Sequence, residues 1–220
     1  MPTHSHLLPS PLGGVSLERR AIRAQLVADS DHYTELVLKA IAGARVSLWI
    51  ATANVKEMRI EAPIGTRARA QGRYMSILET LEGLASRGVE LRLLHAGVPS
   101  RFFRAELARR PRLTPASPQA RKGGATVPVP RGGLAMRQCA RVHLKLVAVD
   151  GRLLYLGSAN FTGAGLGAKG EGRRNFEMGL LTDDDVWLDA AQARFDDIWS
   201  GSECKGCRLR RECPRPIDAL

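Results

Sequence analysis

The chain has 220 residues, 44% of them hydrophobic, and a formal net charge of +11. That length suits one domain with extensions and a sizeable core. No run of eighteen apolar residues occurs, so no membrane span is expected. The first residues do not read as a signal peptide, which makes the cytoplasm the expected compartment.

In chain order, residues 1–23 read as a flexible arm. Residues 31–44 read as a helix, with Tyr33, Leu36, Val37, Ala40 and Ile41 at helical spacing and Asp29, Ser30 or Asp31 as cap. A strand follows over 45–55, then a polar loop ending near Gly72. Residues 74–86 form a second helix stopped by Gly88, and 89–94 a second strand. A third helix, 102–110, ends at Pro111. From Arg101 to Arg137 there are nine basic residues and one acidic residue, Glu106. Five prolines and two Gly-Gly pairs make the second half of this segment a mobile loop by expectation. Such a basic loop suits a polyanionic partner, nucleic acid or an anionic lipid surface. Two strands then flank Asp150-Gly151, a hairpin signal. A further strand covers 175–181, and a last helix, capped by Thr182 or Asp183, runs to about Trp199. Helices alternating with strands, then a hairpin, predict an α/β fold: a mixed β-sheet with helices on both faces.

Residues 143–162 read HLKLVAVDGRLLYLGSANFT. His143 and Lys145 are two apart on a run that is apolar at nearly every other position, as in a central strand. Side chains two apart project from one face. Ser158 and Asn160 follow the same rule on the partner strand. A neutral imidazole can attack phosphorus. An ammonium, an amide and a hydroxyl can hold its non-bridging oxygens. This set fits phosphoryl transfer without a catalytic metal or cofactor.

The spacing H-x-K-x4-D followed by G-S-x-N-x-T resembles the phospholipase D superfamily. The resemblance implies a phospholipase D-like catalytic domain over 24–200, with His143, Lys145, Ser158, Asn160 and Glu177 as catalytic residues. Glu177 would accept a hydrogen bond from the His143 ring. Asp150 matches the motif's aspartate but sits at a hairpin turn, and its expected role is structural. Only one copy of the motif occurs, whereas the chemistry uses one His to attack and another to protonate the leaving oxygen. Short single-motif members build one site from two subunits, so a homodimer with a composite site is expected. The run from Gly163 to Gly170 contains a formal G-x-G-x-x-G, but no helix fits between it and the next strand, so it is not a dinucleotide fingerprint.

The tail, 201–220, carries Cys204, Cys207 and Cys213 as C-x2-C-x5-C, and Cys139 stands four residues before His143. This spacing resembles the four-cysteine iron–sulfur staple of several DNA-processing nucleases. It predicts a Cys-rich metal-binding tail holding a structural [4Fe–4S] cluster, or alternatively tetrahedral zinc. The expected activity is that of a metal-independent phosphodiesterase working through a phosphohistidine, acting as a nuclease on DNA. The alternatives are a phospholipase or phosphatidyltransferase on anionic lipid, or a non-catalytic nucleic-acid-binding module.

Overall fold

The computed structural model describes residues 21–62, 64–114, 133–213 and 216–219. Nine strands are described: β1 (Ala24–Ala28), β2 (Ser47–Thr52), β3 (Arg59–Glu61), β4 (Tyr74–Ser76), β5 (Glu90–His95), β6 (Leu134–Gln138), β7 (Leu146–Val149), β8 (Leu153–Gly157) and β9 (Met178–Thr182). Seven form one sheet in the order β1-β9-β8-β7-β2-β5-β6, and β3 and β4 form a separate ribbon. β2, β5 and β6 run parallel, and the other neighbours in the sheet are antiparallel. The main helices are a π-wound segment, His32–Ile41, and α1 (Arg67–Ala70), α2 (Ile77–Ser86), α3 (Arg101–Ala108) and α4 (Asp185–Trp199).

Every residue of β7 is buried, as its unbroken apolar run requires of a strand covered on both faces. On one face Val147 and Val149 join Leu48, Ile50, Leu91 and Leu93 beneath Leu36, Val37 and Ile41 of the π-wound segment and Leu78 and Leu81 of α2. On the other, Leu146, Ala148 and Leu154 pack under Leu188, Phe195, Ile198 and Trp199 of α4. The expected mixed sheet flanked by helices is therefore present. Among the described residues no helix is long and apolar enough to cross a membrane.

Asp150 closes the hairpin and does more. Its φ of 56°, followed by 62° at Gly151, places both residues in the left-handed region that Asp and Gly tolerate best. Its carboxylate accepts from the backbone N–H groups of Arg45 (3.0 Å), Val46 (2.7 Å) and Ser47 (2.9 Å). It thus pins the start of β2 to the turn between β7 and β8, across more than a hundred residues of chain. Burial pulls its pKa upward, but the three N–H donors outweigh that and leave it below the usual aspartate value.

Four strands and one helix cap depart from the sequence reading. β1 takes up Ala24–Ala28, just past the proposed arm; residues 1–20 themselves lie outside the described set. β3 and β4 occupy what read as a polar loop and the start of a helix. β6 begins within the segment expected to be loop, and residues 115–132, which carry most of the expected mobility, lie outside the described set. The cap of α4 is Asp184, whose Oδ1 accepts from Trp187 N at 3.0 Å, one or two residues past the expected cap.

Asp150→Ala should destabilise the protein by about 1–2 kcal/mol at neutral pH, with Asp150→Asn milder because it keeps one acceptor and tolerates the backbone angle. A lowered folded pKa gives stability that is present above the ordinary value of 3.8 and lost as pH falls through the folded one. The gap in unfolding free energy between wild type and Asp150→Asn should therefore narrow below about pH 4, as denaturant titrations at stepped pH would measure.

Candidate active site

The C-terminal end of β2, the approach to β7, the exit of β8 and the approach to β9 all lie at one end of the sheet. Leu146 pairs with Ala51 on one side and Leu156 on the other. His143 and Lys145 lie just before β7, at this end. Lys145 O still accepts from Gly157 N at 3.2 Å, so the ladder reaches one residue beyond the strand. His143 is exposed and Lys145 half-buried, with Lys145 Nζ donating to His143 O at 2.9 Å.

Asn160 is held by its oxygen. Oδ1 accepts from Asn54 N at 3.0 Å and lies 3.2 Å from Thr52 Oγ1. This network assigns the amide orientation and leaves Nδ2 as the remaining donor. The Thr52 hydroxyl, 1% exposed, also lies 3.0 Å from Asn54 O and accepts from Phe161 N at 3.0 Å. Ser158 is differently used. Its hydroxyl donates to Glu177 Oε2 and accepts from Met178 N at 3.1 Å, so its proton is already committed. The other Glu177 oxygen accepts from Asn175 Nδ2 at 3.0 Å. Among the described residues, no hydrogen bond joins Glu177 to the His143 ring; the carboxylate faces Ser158 and Asn175. What the arrangement offers a tetrahedral anion is an exposed imidazole, an ammonium and a free amide donor.

Comparison with known proteins places this geometry. The family model described as "Cardiolipin synthase, PLD-like domain" matches residues 37–199, about three quarters of the chain. The chain belongs to the phospholipase D superfamily. Two solved structures share the fold. NucT from Helicobacter pylori is 15% identical with a TM-score of 0.51, over 80% of this chain and 95% of that one. Nuc from Salmonella typhimurium, a phospholipase D family member, is 17% identical with a TM-score of 0.51, over 82% and 95%. No curated protein sequence matches. This phospholipase D superfamily member is a hydrolase or transferase for phosphodiester-type substrates.

The cysteine expectation is overturned. Cys139, Cys204, Cys207 and Cys213 are free, half-buried thiols that share the lining of one cavity of about 160 Å³ with Ile198 and Ile217. Among the described residues, no three His, Cys, Asp or Glu side chains are grouped so as to hold a metal ion, which removes both the iron–sulfur cluster and zinc. Linear spacing brought the thiols to one wall without bringing them to ligand distance of a common centre. Other contacts dock the tail of this superfamily member. Ile217 is buried against the α4 cluster and Arg194 of α4 pairs with Glu203, while within the tail Arg210 pairs with Asp218 at 2.7 Å.

The basic segment also divides. Arg110 is tied up by Glu106 at 2.5 Å and Glu79 at 3.5 Å, and Arg137 lies 4.9 Å over the Trp199 ring. Arg101, Arg104, Arg109 and Arg112 remain exposed on and after α3. Ser100, the cap of α3, donates to Val55 O at 3.0 Å, so the helix starts beside the site. His95, 5% exposed, points Nδ1 at Gly97 O (2.9 Å); burial pushes its pKa down, and that bond offsets part of the effect.

Sequence reasoning missed Thr52 and Asn54. The available signal was a polar Thr-Ala-Asn ending on an apolar strand. Thr52→Val should cost about 1–3 kcal/mol, because Phe161 N and Asn160 Oδ1 each lose a buried partner without loss of volume. Thr52→Ser should recover most of it. Chemical denaturation of the two variants measures the difference.

Proposed function

We propose that the protein cleaves phosphodiesters through a covalent phosphohistidine on His143, and that its substrate is nucleic acid. The observation that carries this reading is the exposed His143 imidazole at the end of the sheet that also holds Lys145, whose ammonium keeps two of its three donors, and Asn160, whose Nδ2 remains a donor. A ring nitrogen attacks phosphorus, a P–N bond forms and the P–O bond to the leaving group breaks. Lys145 and Asn160 bind the non-bridging oxygens, where charge builds in the transition state. Glu177 fixes Ser158, and together they brace the rim. The leaving oxygen needs a proton. His95 suits this poorly, since burial favours its neutral form. A second His143 from a twofold-related copy supplies it and then takes the proton of the attacking water as the P–N bond breaks. The active species is therefore proposed to be a homodimer with a composite site. The net charge of +11 and the exposed arginines leading from the site along α3 support a polyanionic chain as substrate. The organisation follows: an N-terminal arm over 1–23, the catalytic domain over 24–200 and a docked tail over 201–220.

A second reading has specific support. Phe176, 95% exposed, and Met178, 59% exposed, flank Glu177, an apolar rim that suits a lipid substrate. The family model that matches is named for cardiolipin synthase. On this reading an alcohol replaces water in the second step, and the product is a transferred phosphatidyl group.

Purified protein should be incubated, with chelator present, with labelled single- and double-stranded DNA, RNA and phosphatidylglycerol vesicles. Cleavage of a nucleic acid supports the first reading, and phosphatidyl transfer alone supports the second. Either activity should survive chelator, and a strict magnesium requirement would sink the mechanism. His143→Ala should lower turnover by at least about 10⁴-fold with the fold retained, as expected for a lost nucleophile. Acid-quenched wild type should carry substrate phosphate on histidine. Sedimentation should give twice the 24.0 kDa chain mass.

A further inference from the structure

Beneath the Ser158–Asn160 segment lies a buried pair that the reaction above does not use. His32, with no exposed surface, opens the π-wound segment; Tyr155, 1% exposed, lies on β8. His32 Nδ1 lies 3.1 Å from Asp29 O, a carbonyl that can only accept, so Nδ1 carries the proton. Nε2 is then an acceptor, and the Tyr155 hydroxyl donates to it at 2.9 Å. The same hydroxyl accepts from Ala159 N at 3.4 Å. Ala159 is the residue between Ser158 and Asn160. The rings meet edge to face with centroids 5.4 Å apart.

The other side of the pair reaches Glu177. Asp29, with φ of 44°, donates its N–H to Glu177 O at 2.9 Å and accepts from Glu177 N through Oδ1 at 3.0 Å. One continuous set of bonds thus runs from Glu177 through Asp29, His32 and Tyr155 to Ala159, and Ser158 closes it by donating to Glu177. The Tyr155 ring takes the space over two glycines. A Cβ on Gly157 would overlap the Tyr155 hydroxyl and lie 2.8 Å from Gly179 Cα. A Cβ on Gly179 would overlap the ring edge and lie 2.9 Å from Leu156 O. Neither glycine has a left-handed φ, so crowding by the ring and the facing backbone, not backbone conformation, excludes side chains there. Burial pushes the Tyr155 phenol up to about 12; the Ala159 N–H offsets part of this and the Glu177 charge adds to it. The hydroxyl therefore stays a donor.

We propose that Tyr155, oriented by His32, is a positioning residue that sets the spacing of Ser158 and Asn160 at the phosphate site. The proposal rests on the phosphodiester reading above. Small displacements of groups that bind the transition state cost large factors in rate, whereas ground-state binding changes less.

Tyr155→Phe keeps the ring over Gly157 and Gly179 and removes only the hydroxyl. Its kcat should fall by about tenfold with KM within about twofold, at little cost in melting temperature. His32→Gln, which can present an amide oxygen to Tyr155, should keep more activity than His32→Phe. Nitrogen-15 spectra without substrate should show His32 protonated on Nδ1, with the Nε2 resonance shifting in Tyr155→Phe. The Ala159 amide and the Asn160 side-chain amide should shift with it. Unchanged Ala159 and Asn160 resonances, or a kcat equal to wild type, would overturn the proposal. A wild type inactive on every substrate would defeat the phosphodiester reading, and the spectra would still decide whether the pair orients the segment.

Discussion

The register of β7 between two antiparallel neighbours governs the active end of this molecule. Leu146 is fixed against Ala51 and Leu156 at once. That double pairing determines that Lys145 stands level with Thr52 and Gly157. A slip of one residue would turn every side chain of β7 to the opposite face. It would drive His143 and Lys145 toward the α4 side, away from Asn160. Both faces of β7 are buried, so the apolar clusters oppose such a slip over the whole strand. At the far end the Asp150 carboxylate, bonded to three successive N–H groups of the approach to β2, fixes the same register from the polar side.

Within that frame the polar groups at the mouth are specialised by what already occupies them. Ser158 and Glu177 satisfy each other, and Thr52 and Asn54 occupy the oxygen of Asn160. Lys145 spends one of its three donors on a neighbouring carbonyl. Capacity for an anion is left on Lys145 and on the nitrogen of Asn160, at the same end of the sheet as the exposed His143 imidazole. The charge of the chain is similarly partitioned. Arg92 lies 4.3 Å over Trp49 and pairs with Asp196 at 2.9 Å, and Arg137 rests on Trp199, so these two cations belong to the packing of α4. Arg101, Arg104, Arg109 and Arg112, on and after α3, are exposed.

Much of this was legible in the sequence, for physical reasons. The β7–β8 hairpin announced itself by an unbroken apolar run, an Asp-Gly turn and polar residues in register. The long amphipathic helices carried their period. β1 and β6 were not legible because they are the two outer strands of the sheet: three of the five residues of β1 are exposed, and β6 has a single fully buried residue, so neither shows a strong apolar pattern. β3 and β4 are three residues each, too short for a period. Thr52, Asn54, Asp29 and His32 reach the site region through contacts over long separations, which spacing along the chain does not encode. The cysteines erred in the other direction. Their spacing is that of a ligand set, yet ligation depends on convergence in space, and the tail is held by Ile217 and by arginine–carboxylate pairs instead.

Tyr155, Gly157 and Gly179 occupy one volume between them, and this limits how the sequence can drift. While the tyrosine stays, neither glycine can acquire even a methyl group. Shrinking the tyrosine first would not free them, because a Cβ on Gly157 would still lie 2.8 Å from Gly179 Cα and one on Gly179 2.9 Å from Leu156 O. Both glycines are thus required by the closeness of β8 and β9 as well as by the ring. Related chains that keep this strand pairing should therefore carry both glycines even where the residue facing them is smaller than tyrosine.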